Sequence, residues 1–167
     1  GVDVDILVNN AGYGKFGEFA EVAIEESAGQ VQLNIAALTS LTRLFLAPML
    51  ERGSGKIMNV ASTAGFQPGP LMAVYYATKA YVISFSEALA NELAGRGITV
   101  TCLCPGATET GFAGRAGNDP ARLFKKLRPM EAKAGARAGY KGWPQGKTQG
   151  ITGFATVLAH KRVSPPP

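Results

Sequence analysis

The spacing of apolar residues predicts three short strands separated by two helical regions. Continuous apolar runs that suit strands covered on both faces lie at 5–10 (DILVNN), 56–61 (KIMNVA) and 98–104 (ITVTCLC). Between them, apolar residues recur every three or four positions, as in helices, over 18–51 and 74–94. Because strands and helices alternate, we expect βαβ crossovers and a parallel sheet, which is an α/β fold.

The two helical regions each have a predicted core face. In the first it comprises Val31, Ile35, Leu38, Leu41 and Phe45, and in the second Val82, Phe85, Leu89 and Leu93. After Pro105 the pattern weakens: 119–139 favours one or two helices, 146–152 a poor strand and 154–160 a last helix. No repeat or linker divides the chain, so we expect a single domain over 1–167, with 113–167 as its variable segment.

Composition restricts the class of protein without naming a function. Apolar residues make up 46% and charged residues 17% of 167 residues, which is typical of globular domains rather than disordered chains or coiled coils. Arg43 and Pro48 interrupt the densest apolar stretch, 35–50, so no membrane span is expected. A cytoplasmic location is the default expectation, and Cys102 and Cys104 are predicted to be buried strand residues.

Charge is uneven along the chain. Residues 1–114 carry 6 Lys/Arg against 10 Asp/Glu, whereas residues 115–167 carry 11 against 2. The basic segment is scattered and has few interleaved aromatic residues, so nucleic acid is disfavoured as a partner. A solvated basic surface is the simplest interpretation, and an anionic tail on a small substrate stays open as an alternative.

Tyr75 and Lys79 are the residues with the clearest chemical potential. They are four residues apart in a predicted helix and so lie on one face of it. A cation beside a tyrosine stabilises its phenolate, which makes the hydroxyl a usable acid or base near neutral pH. The pair by itself is weak evidence, because Tyr and Lys meet at this spacing by chance in many chains.

Polar residues or glycines also follow each predicted strand. Asn10 ends the first strand, Ser62 the second, and Pro105-Gly106 follows the third. Ligands of open α/β sheets bind at the carboxyl ends of the strands, where these residues are expected to meet. Each residue has an ordinary explanation as well: a turn, a helix cap and a strand terminator.

Together these motifs resemble the short-chain dehydrogenase/reductase family over Asp5 to about Phe112. The match consists of the segment Asn9-Asn10-Ala11-Gly12, Asn34 in the long helix, Ser62, the YxxxK box of Tyr75 to Lys79, and the Pro-Gly motif from Pro105 to Thr110. The resemblance implies a Rossmann-like, doubly wound parallel sheet. It also implies an NAD- or NADP-dependent oxidoreductase that acts on a small carbonyl or alcohol substrate.

The resemblance assigns roles to individual residues. Tyr75 would be the general acid or base, Lys79 would lower its pKa and bind the nicotinamide ribose, Ser62 would polarise the carbonyl, and Asn34 would hold a water in a proton relay. The cofactor-binding residues implied are Asn9, Asn10, Ala11, Gly12, Tyr75, Lys79, Pro105, Gly106, Thr108 and Thr110, and no metal is implied.

One expected motif is missing from the sequence. The family's glycine-rich turn (TGxxxGxG), which binds the pyrophosphate, does not precede Asn9, and the residue that selects NAD or NADP is missing with it. We therefore expect an N-terminally truncated, incomplete Rossmann-like sheet whose isolated form is poorly soluble or molten and does not bind dinucleotide measurably. An inactive fragment and a non-catalytic dinucleotide-binding scaffold or redox sensor are the alternatives to a working enzyme.

The substrate is not predicted by this sequence. Met130, Tyr140 and Trp143 are candidate pocket residues, although a core or surface role is the more common one for such residues, and His160 is expected in a tail. Family members form homodimers or homotetramers through the two long helices. The apolar and small residues that permit such packing are Leu38, Leu41, Ala80, Ile83 and Ala90.

Overall fold

The computed structural model describes residues 3–109, 111–116, 130–134, 136–137 and 149–152. The main sheet has the strand order β1-β2-β3-β6, and all its neighbouring strands are parallel. Its strands are β1 (Ile6–Asn9), β2 (Gly55–Val60), β3 (Ile98–Pro105) and β6 (Gln149–Thr152). Two further strands, β4 (Thr108–Glu109) and β5 (Met130–Glu131), pair with each other. The predicted α/β class with a parallel sheet is confirmed.

The α-helices that accompany the strands include α1 (Ile24–Val31), α2 (Leu38–Arg52), α3 (Ala73–Glu92) and α4 (Phe112–Ala116). Residues 132–134 and 136–137 are helical as well. The predicted strand at 146–152 is present in part, as β6. The predicted helix at 154–160 and most of the helical region at 119–139 lie outside the described residues, as do Tyr140, Trp143 and His160.

The core lies between one face of the sheet and the helices α2 and α3. Strand register aligns Leu7 with Ile57, and Ile57 with Val100. This row packs against Leu46 and Met49 of α2 and against residues of α3. Of the second predicted core face, Leu89 and Leu93 belong to this cluster, and the partly buried Phe85 packs against it. Val82 is fully buried in a second cluster, together with Leu38 and Ile83.

The first predicted core face is partly wrong, and a π-helical segment explains why. Residues Gln32–Ala37 form π-helix between α1 and α2, so one helical run extends from Ile24 to Arg52. A π-helical turn closes hydrogen bonds from i to i+5, and the wider turn shifts every later residue around the axis. As a result Leu41 is 42% exposed, whereas Leu38, Thr42, Leu46 and Met49 face the core. Val31, which precedes the π-helical segment, is 44% exposed as well.

The opposite face of β1 is open. Ile6 and Val8 are each 48% exposed, whereas the alternate residues Leu7 and Asn9 are buried. By length and composition alone, the run Ile24–Arg52 could cross a membrane, and it is the one such helix in the part of the chain that the structure describes. Buried core helices pass the same test, and four residues of α2 are buried in this fold. The cytoplasmic location stays a prediction.

Candidate active site

The ends of three strands meet at the start of α3. Lys79 of α3 donates through Nζ to the carbonyl oxygen of Val60 at the end of β2, at 2.8 Å. Ser62, just beyond β2, donates through Oγ to the carbonyl oxygen of Pro105 at the end of β3, at 3.4 Å. A Cβ on Gly12, beyond β1, would lie 3.5 Å from Lys79 Nζ. The carboxyl edge of the sheet therefore brings the predicted residues together.

Tyr75 lies in the first turn of α3 with its ring enclosed by neighbours. Phe112 of α4 packs against it with ring centroids 5.0 Å apart, and Tyr76 makes an edge contact at 6.1 Å. Burial raises the pKa of Tyr75 above its usual 10.0, while a hydrogen bond with the Ser62 side chain lowers it by a smaller amount. The phenol therefore keeps its proton at neutral pH, as a general acid must.

Lys79 is a buried cation next to this phenol. Its side chain is 6% exposed, and Nζ lies 5.8 Å from the centroid of the Tyr75 ring. Burial lowers the pKa of Lys79 to about 8, and attraction to Cys102 and Cys104 opposes the shift. At neutral pH the ammonium is protonated and places a positive charge beside the ring.

The net pKa shift of Tyr75 is upward, and burial is its largest cause. The resemblance implied that Lys79 lowers this pKa, and that effect stays a prediction. Lys79 Nζ donates to the Val60 carbonyl and lies 5.8 Å from the centroid of the Tyr75 ring.

Ser62 serves both as a helix cap and as the partner of Tyr75. Its Oγ accepts a hydrogen bond from the Ala64 amide at 3.1 Å, which caps the short 3₁₀ helix Thr63–Phe66. Gly65 in that helix approaches the backbone of Lys79 so closely that a Cβ would lie 2.7 Å from the Lys79 carbonyl. The structure is therefore consistent with both roles of Ser62, the helix cap and the group that polarises a substrate carbonyl.

Asn34 joins α3 to the loop beyond β1. Its Oδ1 accepts from the Tyr13 amide at 3.1 Å, and its Nδ2 donates to the Tyr13 carbonyl at 2.9 Å and to Thr78 Oγ1 at 3.0 Å. Thr78 in turn donates to the Tyr75 carbonyl at 2.8 Å. Asn34 is 2% exposed, so its side chain holds the loop in place. The predicted water relay at Asn34 stays a prediction.

Asn9 is a correction to the predicted cofactor-binding set. Its Nδ2 points into the core and donates to Thr42 Oγ1 and to Asn59 Oδ1, both at 2.9 Å. Successive residues of a strand point to opposite faces, so Asn9 faces the helices together with Leu7. The side chain therefore ties β1 to β2 and α2. In contrast Asn10, Ala11 and Gly12 are exposed beyond the strand end.

Gly14 and Thr78 are site residues that the sequence reasoning did not select. A Cβ on Gly14 would lie 2.9 Å from the Tyr75 ring, so the loop backbone packs directly on the phenol. Gly14 was visible in the sequence as part of a turn, and Thr78 lies inside the YxxxK box. Thr78 could have been identified from its place three residues after Tyr75 in a predicted helix, where its hydroxyl can reach the Tyr75 carbonyl. For Gly14 no spacing to Tyr75 indicates contact.

The Pro-Gly motif is only partly described. Pro105 ends β3, and Thr108 Oγ1 donates to the Gly106 carbonyl at 2.9 Å, which fixes the turn into β4. Pro105, Gly106 and Thr108 are half-buried at the same edge as Ser62. Thr110 lies outside the described residues, and only the backbone of Met130, in β5, is described.

The described residues fit the ribose and nicotinamide end of a dinucleotide. The buried Lys79 ammonium has three N–H donors, and among the described residues the Val60 carbonyl accepts a hydrogen bond from one of them. A Cβ on Gly12 would lie 3.0 Å from Asn34 Oδ1, so only glycine leaves this approach to Lys79 open. In the described part of the chain, no group of three or more His, Cys, Asp or Glu could hold a metal.

Comparisons with known proteins show which family and which structures this chain is similar to. A family model described as short chain dehydrogenase matches residues 2–121. The ketoacyl reductase HetN of a Nostoc species is 41% identical over 110 residues, which are 65% of this chain and 38% of that protein. A short-chain dehydrogenase from Sphingobium yanoikuyae in complex with NADPH has a TM-score of 0.85 at 32% identity over 95% of this chain.

A third similar protein is the alcohol dehydrogenase from Comamonas testosteroni described as specific for bulky-bulky ketones. It has a TM-score of 0.77 at 30% identity, and the match covers 95% of this chain and 59% of that one. For the Sphingobium structure the second share is 62%. The chain thus spans less than two thirds of the length of these relatives.

Proposed function

Because this chain belongs to the short-chain dehydrogenase family, we propose that it forms the catalytic part of an NAD(P)-dependent oxidoreductase that reduces a ketone or oxidises a secondary alcohol. The observation that carries the proposal is that the buried Lys79 ammonium lies over the Tyr75 ring at the strand edge where Ser62 reaches the Pro105 carbonyl. A phenol, a hydroxyl and a cation at one strand edge form the set of groups that carbonyl reduction needs.

In the proposed reduction, Tyr75 donates its hydroxyl proton to the carbonyl oxygen of the substrate. The raised pKa of Tyr75 keeps that proton in place until negative charge develops on the oxygen. Ser62 Oγ hydrogen-bonds the same oxygen and orients the carbonyl. When bound, a nicotinamide cofactor supplies the hydride to the carbonyl carbon, or accepts it in the reverse direction.

Lys79 has two proposed tasks. Its ammonium stabilises the Tyr75 phenolate that proton donation leaves behind, because the positive charge lies over the ring. The N–H donors not engaged with Val60 bind the ribose hydroxyls of the cofactor. The exposed residues Asn10, Ala11 and Gly12 line the ribose. Pro105, Gly106, Thr108 and Thr110 contact the nicotinamide end of the cofactor. Asn34 holds the water through which Tyr75 regains its proton.

The substrate is proposed to be a ketone rather than an aldehyde. The Nostoc relative is a ketoacyl reductase, and the Comamonas neighbour is described as specific for ketones with two bulky groups. The aromatic ring of Phe112 beside Tyr75 supplies an apolar surface on which the carbon groups flanking a ketone would pack.

The intact protein is proposed to be a homo-oligomer. Leu41 and Leu44 of α2 are 42% and 68% exposed, and such apolar residues are commonly covered by a second copy of the chain. Two residues predicted for this packing, Leu38 and Ile83, lie in the core and are not available for it. Ala80 is exposed and Ala90 is half-buried on α3, so both are compatible with it.

A chimera tests the proposed activity. The N-terminal part of the Sphingobium dehydrogenase that this chain does not cover is joined to the start of the chain, and NADPH oxidation is followed with a panel of ketones and aldehydes. We expect turnover with at least one ketone and slower turnover with aldehydes. A folded chimera that binds NADPH but reduces none of them would instead favour a non-catalytic dinucleotide-binding protein.

A further inference from the structure

An open cavity of about 220 Å³ adjoins the candidate active site. Two of its lining residues, Ala73 and Val74, directly precede Tyr75 in α3. Met72 lines it as well, and its Cε lies 3.0 Å from the position that a Cβ on Gly14 would take. The Tyr75 ring lies 2.9 Å from the same position. Met72 and the phenol therefore pack side by side on Gly14, and the cavity begins next to the proposed proton donor.

Exposed apolar side chains line this cavity. Phe19 is 70% exposed and Leu71 is 41% exposed, so both face solvent rather than the core. The half-buried Val22 lines the cavity with them. Apolar surface of this kind is stabilised when an apolar ligand removes it from water. The volume restricts the ligand, because sites for whole drug-sized molecules measure about 300–1,000 Å³. A cavity of this size suits one apolar arm of a small molecule.

The polar residues of the lining are engaged within the fold or can stay in water. Gln30 is 1% exposed, and both ends of its amide bind the backbone. Its Oε1 accepts from the Lys15 amide and its Nε2 donates to the Glu26 carbonyl, each at 3.3 Å. The half-buried Lys15 also lines the cavity, and a lysine can cover apolar surface with its stem while its ammonium stays in water. The apolar side chains are thus the ones available to a ligand.

Leu71 has an unfavourable backbone conformation. Its φ of +65° is the one positive φ outside glycine in the part of the chain that the structure describes. It occupies the third position of a turn, Gly69 to Met72, in which the Met72 amide donates to the Gly69 carbonyl at 3.1 Å. Glycine is the usual residue there, because other side chains are strained in left-handed backbone. Gly17 fixes this conformation by donating its amide to the Leu71 carbonyl at 2.8 Å.

We propose that this cavity binds one apolar group of the ketone substrate, and that Leu71 and Phe19 determine how large a group is preferred. The inference rests on the proposed function, because a carbonyl at Tyr75 has one flanking group next to Met72. Strained backbone is concentrated at binding and catalytic sites, where the side chain that it presents is needed. The left-handed Leu71 is kept because its side chain completes the apolar lining.

The size preference is measured in the chimera with the Sphingobium N-terminal part. The readout is kcat/KM for 2-octanone divided by kcat/KM for 2-butanone. We expect Phe19→Ala to lower this ratio at least about tenfold, as loss of an apolar pocket contact does. Ile24→Ala is the matched control, because Ile24 is 76% exposed but does not line the cavity. Its ratio should stay within about twofold of the unsubstituted chimera.

Two substitutions at Leu71 separate its side chain from its backbone. Asparagine adopts left-handed backbone more readily than leucine, so Leu71→Asn keeps the turn but removes the apolar surface. We expect it to lower the ratio at least about tenfold, whereas Leu71→Met, which stays apolar, should remain within about threefold. An unchanged ratio in either Phe19→Ala or Leu71→Asn would overturn the proposal.

A binding measurement distinguishes failure of this proposal from failure of the proposed function. With NADP⁺ in place of NADPH the ketone cannot be reduced, so saturation-transfer NMR measures the Kd of 2-octanone without turnover. We expect Phe19→Ala to raise this Kd at least about tenfold and Ile24→Ala to leave it within about twofold. If the chimera reduces no ketone and this difference is still found, the proposed function fails and the binding site stands. Equal Kd values for the two variants overturn the binding site alone.

Discussion

At the scale of single residues, the buried ammonium of Lys79 makes stability depend on pH. Burial lowers its pKa to about 8 from an ordinary 10.5, so the folded chain loses this proton at lower pH than the unfolded chain does. Stability therefore increases as pH rises from about 8 to 10, by about 2 kcal/mol. The raised pKa of Tyr75 acts in the opposite sense, but only as pH rises through 10 and above.

Denaturant unfolding at several pH values between about 7 and 10 measures this effect. The control is Lys79→Met, which keeps most of the side-chain volume and removes the titrating group. The difference in unfolding free energy between the two proteins should shift by about 2 kcal/mol across this range, because the other titrating groups are shared. A difference that stays constant with pH would mean that Lys79 is not buried as a cation.

Gly14 is predicted to be intolerant of any side chain. A Cβ at this position would meet the Tyr75 ring at 2.9 Å, and the ring is held from other sides by Tyr76 and Phe112. We expect Gly14→Ala to destabilise the chain by about 1–3 kcal/mol, as overpacking does. Gly111→Ala is the matched control, since no atom of the described residues, its chain neighbours aside, lies within 4 Å of its Cβ position. It should change stability by less than about 0.5 kcal/mol.

At the scale of secondary-structure elements, a buried polar chain joins the strands to the helices. Asn9 of β1 donates to Thr42 of α2 and to Asn59 of β2, and Asn59 donates to Ser86 of α3 at 2.9 Å. Ser86 completes the chain by donating to the Val82 carbonyl at 2.6 Å. Because every link is buried, loss of one side chain leaves its partners unsatisfied in the core.

Adjacent asparagines provide the test of this chain. Asn9→Ala should lower the free energy of unfolding by about 1–3 kcal/mol, because Thr42 and Asn59 each lose a buried partner. Asn10→Ala, one residue further on and exposed, should change it by less than about 0.5 kcal/mol. Urea unfolding measures both, and equal effects would show that the Asn9 contacts do not stabilise the core.

The elements that the sequence predicted correctly are those with a clear apolar pattern. The strands β1 to β3 and the helix α3 are local features, since runs of apolar residues and their spacing determine them. The π-helical segment was not predictable in this way, because its cause is tertiary: Asn34 inside it is held by Tyr13 and by Thr78. The inward direction of Asn9 and the contact between Gly14 and Tyr75 also depend on tertiary packing, so the sequence did not predict them.

In the candidate site, too, the sequence predicted some features, whereas others depend on the packed structure. Tyr75, Lys79, Ser62 and the Pro-Gly motif were found because their order and spacing match a family. The pKa direction of Tyr75 was not predictable, since it depends on how deeply Phe112 and Tyr76 bury the ring. Electrostatics of this kind requires the packed structure, whereas the identity of the chemical groups does not.

At the scale of the whole molecule, we expect the open face of β1 to limit solubility. Ile6 and Val8 are each 48% exposed side by side on a strand, and exposed apolar strands are sites of aggregation. We expect the Ile6→Lys/Val8→Lys variant to increase the soluble concentration of the chain several-fold, measured by sedimentation. Leu7→Lys is the control with a buried target and should unfold the chain instead. Unchanged solubility of the double variant would show that another surface drives aggregation.

The role of Tyr75 is most directly tested by substitution in the chimera with the Sphingobium N-terminal part. Tyr75→Phe removes only the hydroxyl that donates the proton, and Tyr76→Phe removes the same atom from the next residue. We predict that Tyr75→Phe lowers kcat for ketone reduction by about 10²–10⁴-fold while Tyr76→Phe stays within about twofold of the unsubstituted chimera. A Tyr75→Phe chimera that retains most of its ketone-reducing rate would contradict the proposed mechanism.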